Sequence, residues 1–157
     1  MNIDFEIFTI NKSFFIENPD LTKEADLKST RIYLGIVIQI NNNNCFIPLE
    51  TKLKENELLA RKSQWPLPSS TRPDAGLNFE KCLIINDLRH LNLIHNPQIA
   101  NSQKRGIDNN KKSIRARLNR YIENYIKAYN KDRHLKDYIF KFTTLHYFHK
   151  ELGLFPK

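Results

Sequence analysis

The sequence predicts an α+β fold, an antiparallel sheet followed by two long C-terminal helices. Two apolar runs rich in β-branched residues, 32–40 and 45–49, flank the Asn-rich turn 41–44, and this pattern reads as a β-hairpin. Beyond Pro97 the apolar residues recur instead at three- and four-residue steps. Strands first and helices afterwards is the order of an α+β domain, and 157 residues suffice for one domain with one core.

The segment 4–10 alternates imperfectly and predicts a first strand, with Phe5 and Ile7 on one face and Phe8 and Ile10 on the other. Residues 21–30 have few apolar anchors and predict a surface loop with room for a short helix. In the central run 32–40, Gly35 marks strong curvature, a bulge or a close approach by another backbone or a ligand. Asn tolerates positive φ, so 41–44 is a natural turn, and Pro48 places the second strand's donor-free position at an edge, a bulge or a strand end. Residues 55–62 predict a short helix with Leu58 and Leu59 inward. The stretch 65–76 predicts a long polar loop stiffened by three prolines. Residues 82–85 read as a strand, and Asn86-Asp87 as the cap of a short helix carrying Leu88, Leu91 and Ile94, with Arg89 and His90 near exposed faces. The first C-terminal helix is expected from Asn109 or Asn110 to Tyr129. A second is expected to start near Asp132 or His134, to carry Leu135, Tyr138, Ile139, Phe142 and Leu145, and to close at Gly153 and Pro156.

Charge is distributed unevenly. Residues 1–100 carry 11 Lys/Arg against 12 Asp/Glu, whereas residues 101–157 carry 14 against 5. A basic field confined to one part of the chain suits a polyanion, because neutralising phosphates releases counterions. A solvated lysine-rich face is the plainer reading of the same charges. Cys45 and Cys82 lie in apolar runs without CxxC spacing and are expected to be core thiols of a reducing, cytoplasmic compartment. No run approaches the length of a membrane span.

HExxH, P-loop, dinucleotide-binding and nucleophile-elbow motifs are all lacking, and no His/Cys/Asp cluster has zinc spacing, so no metal or cofactor is expected. His146 and His149 are expected to pack or to face solvent. Thr51, Lys52 and Lys54 follow directly on the second strand of the hairpin, which mounts a hydroxyl and two ammonium groups on a rigid support. RNA cleavage without a metal needs a group to orient the 2′-hydroxyl, cations for the charged transition state and a proton donor for the leaving oxygen. Tyr33, Arg31, Arg72, Arg89 and His90 are further candidates if the fold brings them to that strand end.

Three segments in order, Tyr33-Leu34-Gly35-Ile36-Val37, Phe46-Ile47-Pro48-Leu49-Glu50-Thr51-Lys52 and Leu77-Asn78-Phe79-Glu80-Lys81-Cys82-Leu83-Ile84-Ile85, resemble the ToxN/AbiQ family, including its TenpN and CptN branches. These are the endoribonuclease toxins of type III toxin–antitoxin systems. The resemblance is carried best by residues 31–95. It implies a compact MazF-like (SH3-like) antiparallel β-barrel elaborated by helices, and metal-independent RNA cleavage that leaves 2′,3′-cyclic phosphate and 5′-hydroxyl ends. It also implies inhibition by a small repeat, pseudoknot-like antitoxin RNA that the toxin processes, in a cyclic or otherwise closed protein–RNA assembly. Carried onto this chain, the catalytic candidates are Thr51 and either Lys52 or Lys54, beside Tyr33 from the reading of the residues themselves. Glu50 departs from the pattern, standing where some relatives have a hydroxyl residue. The RNA-binding candidates are Arg31, Arg61, Lys62, Trp65, Arg72, Arg89 and His90, with Lys111, Lys112, Arg115, Arg117 and Arg120 on the basic helix; Tyr121 and Tyr125 are candidates for base stacking. A noncatalytic nucleic-acid-binding module and a protein-interaction domain are the alternatives on composition.

Overall fold

In the computed structural model, which describes residues 2–23 and 33–156, the expected hairpin is the centre of the fold. Its strands are β2 (Leu34–Ile40) and β3 (Asn43–Glu50), and Ile40 pairs with Asn43 across a two-residue turn. Asn41 (φ 48°) and Asn42 (φ 69°) are both left-handed, the conformation whose twist matches that of the flanking strands. Ile36, Val37 and Ile38 are all buried, so both faces of β2 are covered. Gly35 pairs with Pro48 on one side and Phe8 on the other, and a Cβ there would stand 2.3 Å from the Ile47 carbonyl oxygen.

The first strand is shorter than expected. β1 spans Ile7–Ile10, because Phe5 has a φ of 64°, although the Phe5 N–H still donates to the Val37 carbonyl at 2.6 Å. Helix α1 (Lys12–Glu17) follows, capped by Asn11, and buries Phe14 and Phe15. Helix α2 (Glu57–Lys62) forms where expected, its start fixed by the Asn56 side chain accepting from the Leu59 N–H. The two ends of the proline-rich loop are drawn into pairing as β4 (Gln64–Pro66) and β5 (Gly76–Asn78). β6 (Leu83–Ile84) pairs with β3. The helix expected around Leu88, Leu91 and Ile94 is instead a 3₁₀ turn (Leu88–His90) and strand β7 (Leu91–Leu93), since pairing with the exposed edge of β1 outweighs a weak local helical pattern.

These strands form one antiparallel, seven-stranded sheet in the order β4-β5-β3-β2-β1-β7, with β6 beside β3. The sheet is open, which corrects the expected MazF-like (SH3-like) barrel: β4 and β7 end the path as edges and do not pair with each other. Closure requires long, tilted strands with a continuous stagger. Here the outer strands have only two or three residues, and Pro66 denies β4 a donor. Helices complete the core instead.

Two C-terminal helices are present, α3 (Asn101–Asp108) and α4 (Lys111–Asn130). The latter matches the expected first helix, and Ile114, Leu118, Ile122 and Tyr125 join the same core as β2, β3 and α1. The helix expected beyond Asp132 does not form. Asp132 has a φ of 56°, and the chain continues through 3₁₀ turns at Tyr138–Phe140 and Thr144–Tyr147. Threonine side chains divert the backbone: Thr143 accepts from the Leu145 N–H, and Thr144 donates to the Cys82 carbonyl. Cys45 and Cys82 are buried free thiols, and the hydrogen bond between them, then burial, push the Cys82 thiol up. No helix among the described residues is long and apolar enough to cross a membrane.

Candidate nucleic-acid interface

Helix α4 is built with two faces. Its apolar residues enter the core, while Arg117, Arg120, Asn124 and Lys127 recur at three- and four-residue steps along an adjoining stripe that reaches Lys131 at the C-cap. The last turn of α2 places Arg61 and Lys62 opposite this stripe, and Ile139 and Phe140 form the floor. A cleft of about 220 Å³ lies among Arg61, Lys62, Arg117, Arg120 and Phe140. It continues past Lys62 and Asn124 into a shallower hollow of about 360 Å³ bounded by Lys127, Lys131, Arg133 and Asp137. Among the described residues the joined groove thus has seven cations, Arg61, Lys62, Arg117, Arg120, Lys127, Lys131 and Arg133, against one carboxylate, Asp137. That carboxylate is already engaged by Arg133 at 2.8 Å. Such an excess of positive charge along one groove favours anions there.

Arg117 holds the wall together. Its guanidinium donates to the Gln64 carbonyl at 2.8 Å and stacks 4.4 Å from the centroid of the Trp65 ring. Burial, then the charge of Arg120, lower its pKa. Trp65 is thereby a backing for Arg117 on its stacked face.

The predicted catalytic group is split by the fold. Thr51 and Lys52 are exposed just past β3. Lys54, its side chain half exposed, pairs with the buried Glu80 at 3.1 Å and lies 5.0 Å from the Phe142 ring centroid. Glu50, beside Thr51, faces Lys81 at 3.7 Å. Tyr33 is only 8% exposed and packs on Phe15, so its ring belongs to the core.

The predicted RNA contacts divide likewise. Arg61, Lys62, Arg117 and Arg120 meet in the groove, with Trp65 behind them. Arg115 instead clamps the N-terminal segment, donating to the Gln39 carbonyl and to Asp4, and Lys111 pairs weakly with Asp108. Lys112 is exposed on the first turn of α4 and Arg72 on the loop 67–75. Arg89 is bound to Asp87 at 2.6 Å, which holds that carboxyl down at about 2. His90, expected near an exposed face, is buried between Ser13 (2.7 Å) and Glu17 (2.8 Å). Glu17, Asp87 and His90 are the one grouping among the described residues whose ligand atoms converge closely enough to hold a cation. Arg31 lies outside the described residues. Tyr121 and Tyr125, candidates for stacking, are core residues.

Beneath the groove floor, Tyr125 joins the two late histidines. The Phe140 carbonyl accepts only, so His146 carries its hydrogen on Nε2 (2.7 Å) and, when neutral, receives the Tyr125 hydroxyl on Nδ1 (2.7 Å). The Tyr125 oxygen then accepts from His149 Nε2–H at 2.6 Å. Burial, followed by the charges of His134 and His146, lowers the His149 pKa. Folding stability from this residue is therefore full above the ordinary histidine pKa and declines as pH falls below it, because the unfolded ring takes up its proton first. The urea midpoint is expected to drop between about pH 7.5 and about pH 5.5 and to drop less in His149→Gln. An identical pH response in the variant would refute this assignment.

Sequence spacing does contain the Arg117, Arg120, Asn124, Lys127 stripe. Ile139, Phe140 and Phe142 were missed as site residues because their segment reads as a continuous helix. No family model, curated protein or solved structure matches the chain. What fold and groove define is an open-sheet α+β protein with a cationic cleft.

Proposed function

We propose that the protein is an endoribonuclease that holds single-stranded RNA in the α2–α4 groove and cuts it at the adjoining end of β3. The observation that carries the reading is the run of seven cations along one groove, with Lys54 nearby through Phe142, two residues from the floor residue Phe140. In this reading the 2′-hydroxyl gives up its proton to solvent as its oxygen attacks the adjacent phosphorus, and the 5′-oxygen leaves with a proton taken from solvent. The products are a 2′,3′-cyclic phosphate and a 5′-hydroxyl. Thr51 orients the reacting ribose, while Lys52 and Lys54 offset charge on the phosphoryl oxygens. The same groove would bind a small repeat antitoxin RNA in a closed assembly, as in type III toxin–antitoxin systems, and the setting would be the cytoplasm with cellular or phage mRNA as substrate.

The deciding experiment incubates RNA-free protein with single-stranded RNA in EDTA. Discrete fragments ending in 2′,3′-cyclic phosphate are expected, with a loss on the order of 100-fold in Thr51→Ala and in Lys54→Ala. Lys54→Ala leaves buried Glu80 without that lysine, so its folding is checked by circular dichroism. Intact RNA after prolonged incubation rejects the enzyme; undiminished cleavage by both variants rejects the site. The Lys54–Glu80 pair and the buried Tyr33 ring favour a second reading, an RNA-binding protein without turnover, which predicts salt-dependent binding and intact RNA.

A further inference from the structure

We infer that Phe142 is a stacking platform for one unpaired base of the bound RNA, an inference that rests on the groove being an RNA site. Phe142 is 56% exposed, and a lone exposed phenylalanine needs no explanation. Its surroundings do. The Lys54 and Lys141 ammonium groups lie 5.0 and 5.5 Å from its ring centroid and come from separate parts of the chain. Lys54 is held there by Glu80, whose side chain is 3% exposed, so a buried carboxylate fixes one cation beside an exposed ring.

The ring is also tied to the groove, since Phe142 follows the floor residue Phe140 by two positions and the Lys54 carbonyl accepts from Gln64, whose own carbonyl accepts from Arg117 of the wall. Around the Tyr138–Phe140 turn the aromatics alternate: Tyr138 is 51% exposed, Phe140 is buried as groove floor, and Phe142 is exposed again. A strand whose phosphates follow the cations of the groove thus meets, just beyond the floor, an aromatic ring bordered by two more cations. A base turned out of the strand covers the ring, and the ammonium groups face the phosphates on either side of it. Stacking of this kind accepts any base but demands that it be unpaired, so it selects single-stranded RNA or a loop over a duplex.

The test uses the full-length protein with a short single-stranded RNA in which 2-aminopurine replaces successive bases, under conditions without cleavage. One position is expected to be quenched on binding. Phe142→Ala should abolish that quenching and weaken binding on the order of 10-fold while leaving the salt slope unchanged, whereas Phe142→Trp should retain both. An abasic residue at the quenched position should weaken the wild type and leave Phe142→Ala unaffected. Unchanged quenching and affinity in Phe142→Ala, with binding still salt-dependent, overturns the platform and leaves the groove reading intact; this is also the outcome if the ring serves a protein partner. Failure of the wild type to bind RNA at low salt overturns the groove reading and the platform with it. Circular dichroism of both variants guards against misfolding.

Discussion

Replacing Gly35 by alanine is expected to destabilise the protein by about 3 kcal/mol, a large share of the roughly 5–15 kcal/mol that folding yields. The new methyl would stand 2.3 Å from the Ile47 carbonyl oxygen and 2.7 Å from Cζ of Phe46. The nearest of these atoms is backbone in β3, the strand that also carries β5 and β6, and Gly35 is simultaneously paired with Phe8 of β1. Relief therefore requires moving the strand shared by most of the sheet, and no side-chain rotation suffices. In thermal unfolding the midpoint should fall by roughly 6–12 °C. Gly153→Ala is the contrasting variant, because Gly153 has a left-handed φ of 72° with nothing within 4 Å of an added Cβ. It incurs only the backbone cost of about 1 kcal/mol. A Gly35→Ala midpoint equal to that of Gly153→Ala would show that β3 gives way more easily than this geometry requires.

Gly35 also illustrates which parts of the fold are legible in the chain. A glycine amid Ile, Leu and Val marks curvature, a bulge or a close approach, and the pairing of Gly35 on both sides decides for the last; the Asn41–Asn42 turn is specified by two residues that tolerate positive φ. The long helix Lys111–Asn130 is legible for the same reason, since its period is local. Barrel closure is different. It depends on whether two distant, short edge strands meet, and nothing within β4 or β7 states that they do not.

The segment after Asp132 misleads because its helical spacing is genuine but unused. Leu135, Tyr138, Phe142 and Leu145 fit one helical face, yet the first three are exposed and only Leu145 is buried, beside Phe140 and Phe148. The deciding contacts are the local bond from the Leu145 N–H to Thr143, the bond from Thr144 to the Cys82 carbonyl, and the Tyr121 hydroxyl donating to Thr143 at 2.9 Å; the last two exist only once distant parts of the chain have packed together. The candidate site inherits the same division. One groove wall is a stripe of charge read directly from α4, while the floor and the Phe142 ring come from the misread segment.

Neutralising the groove is expected to produce the largest functional loss. In Lys62→Gln, Arg120→Gln, Lys127→Gln and Lys131→Gln combined, RNA affinity near physiological salt should fall on the order of 100-fold or more, and the slope of log K against log salt should shrink by about 0.7 for each phosphate contact removed. The four are chosen because they are exposed and line the groove without holding it together. Arg117 is deliberately kept. Its bond to Gln64 and its stacking on Trp65 tie α4 to β4, so its removal would confuse loss of charge with loss of the wall. Exposed substitutions of this kind usually change stability by less than about 0.5 kcal/mol each, so the variant should melt close to the wild type. A matched control at the other end of α4, Lys112→Gln, should change affinity little, because that residue lies outside the groove. Equal losses from the control and from each groove substitution would mean that the protein attracts RNA by overall charge alone. Localised loss, with a smaller salt slope and an unchanged melting midpoint, is the result that assigns the polyanion to this groove.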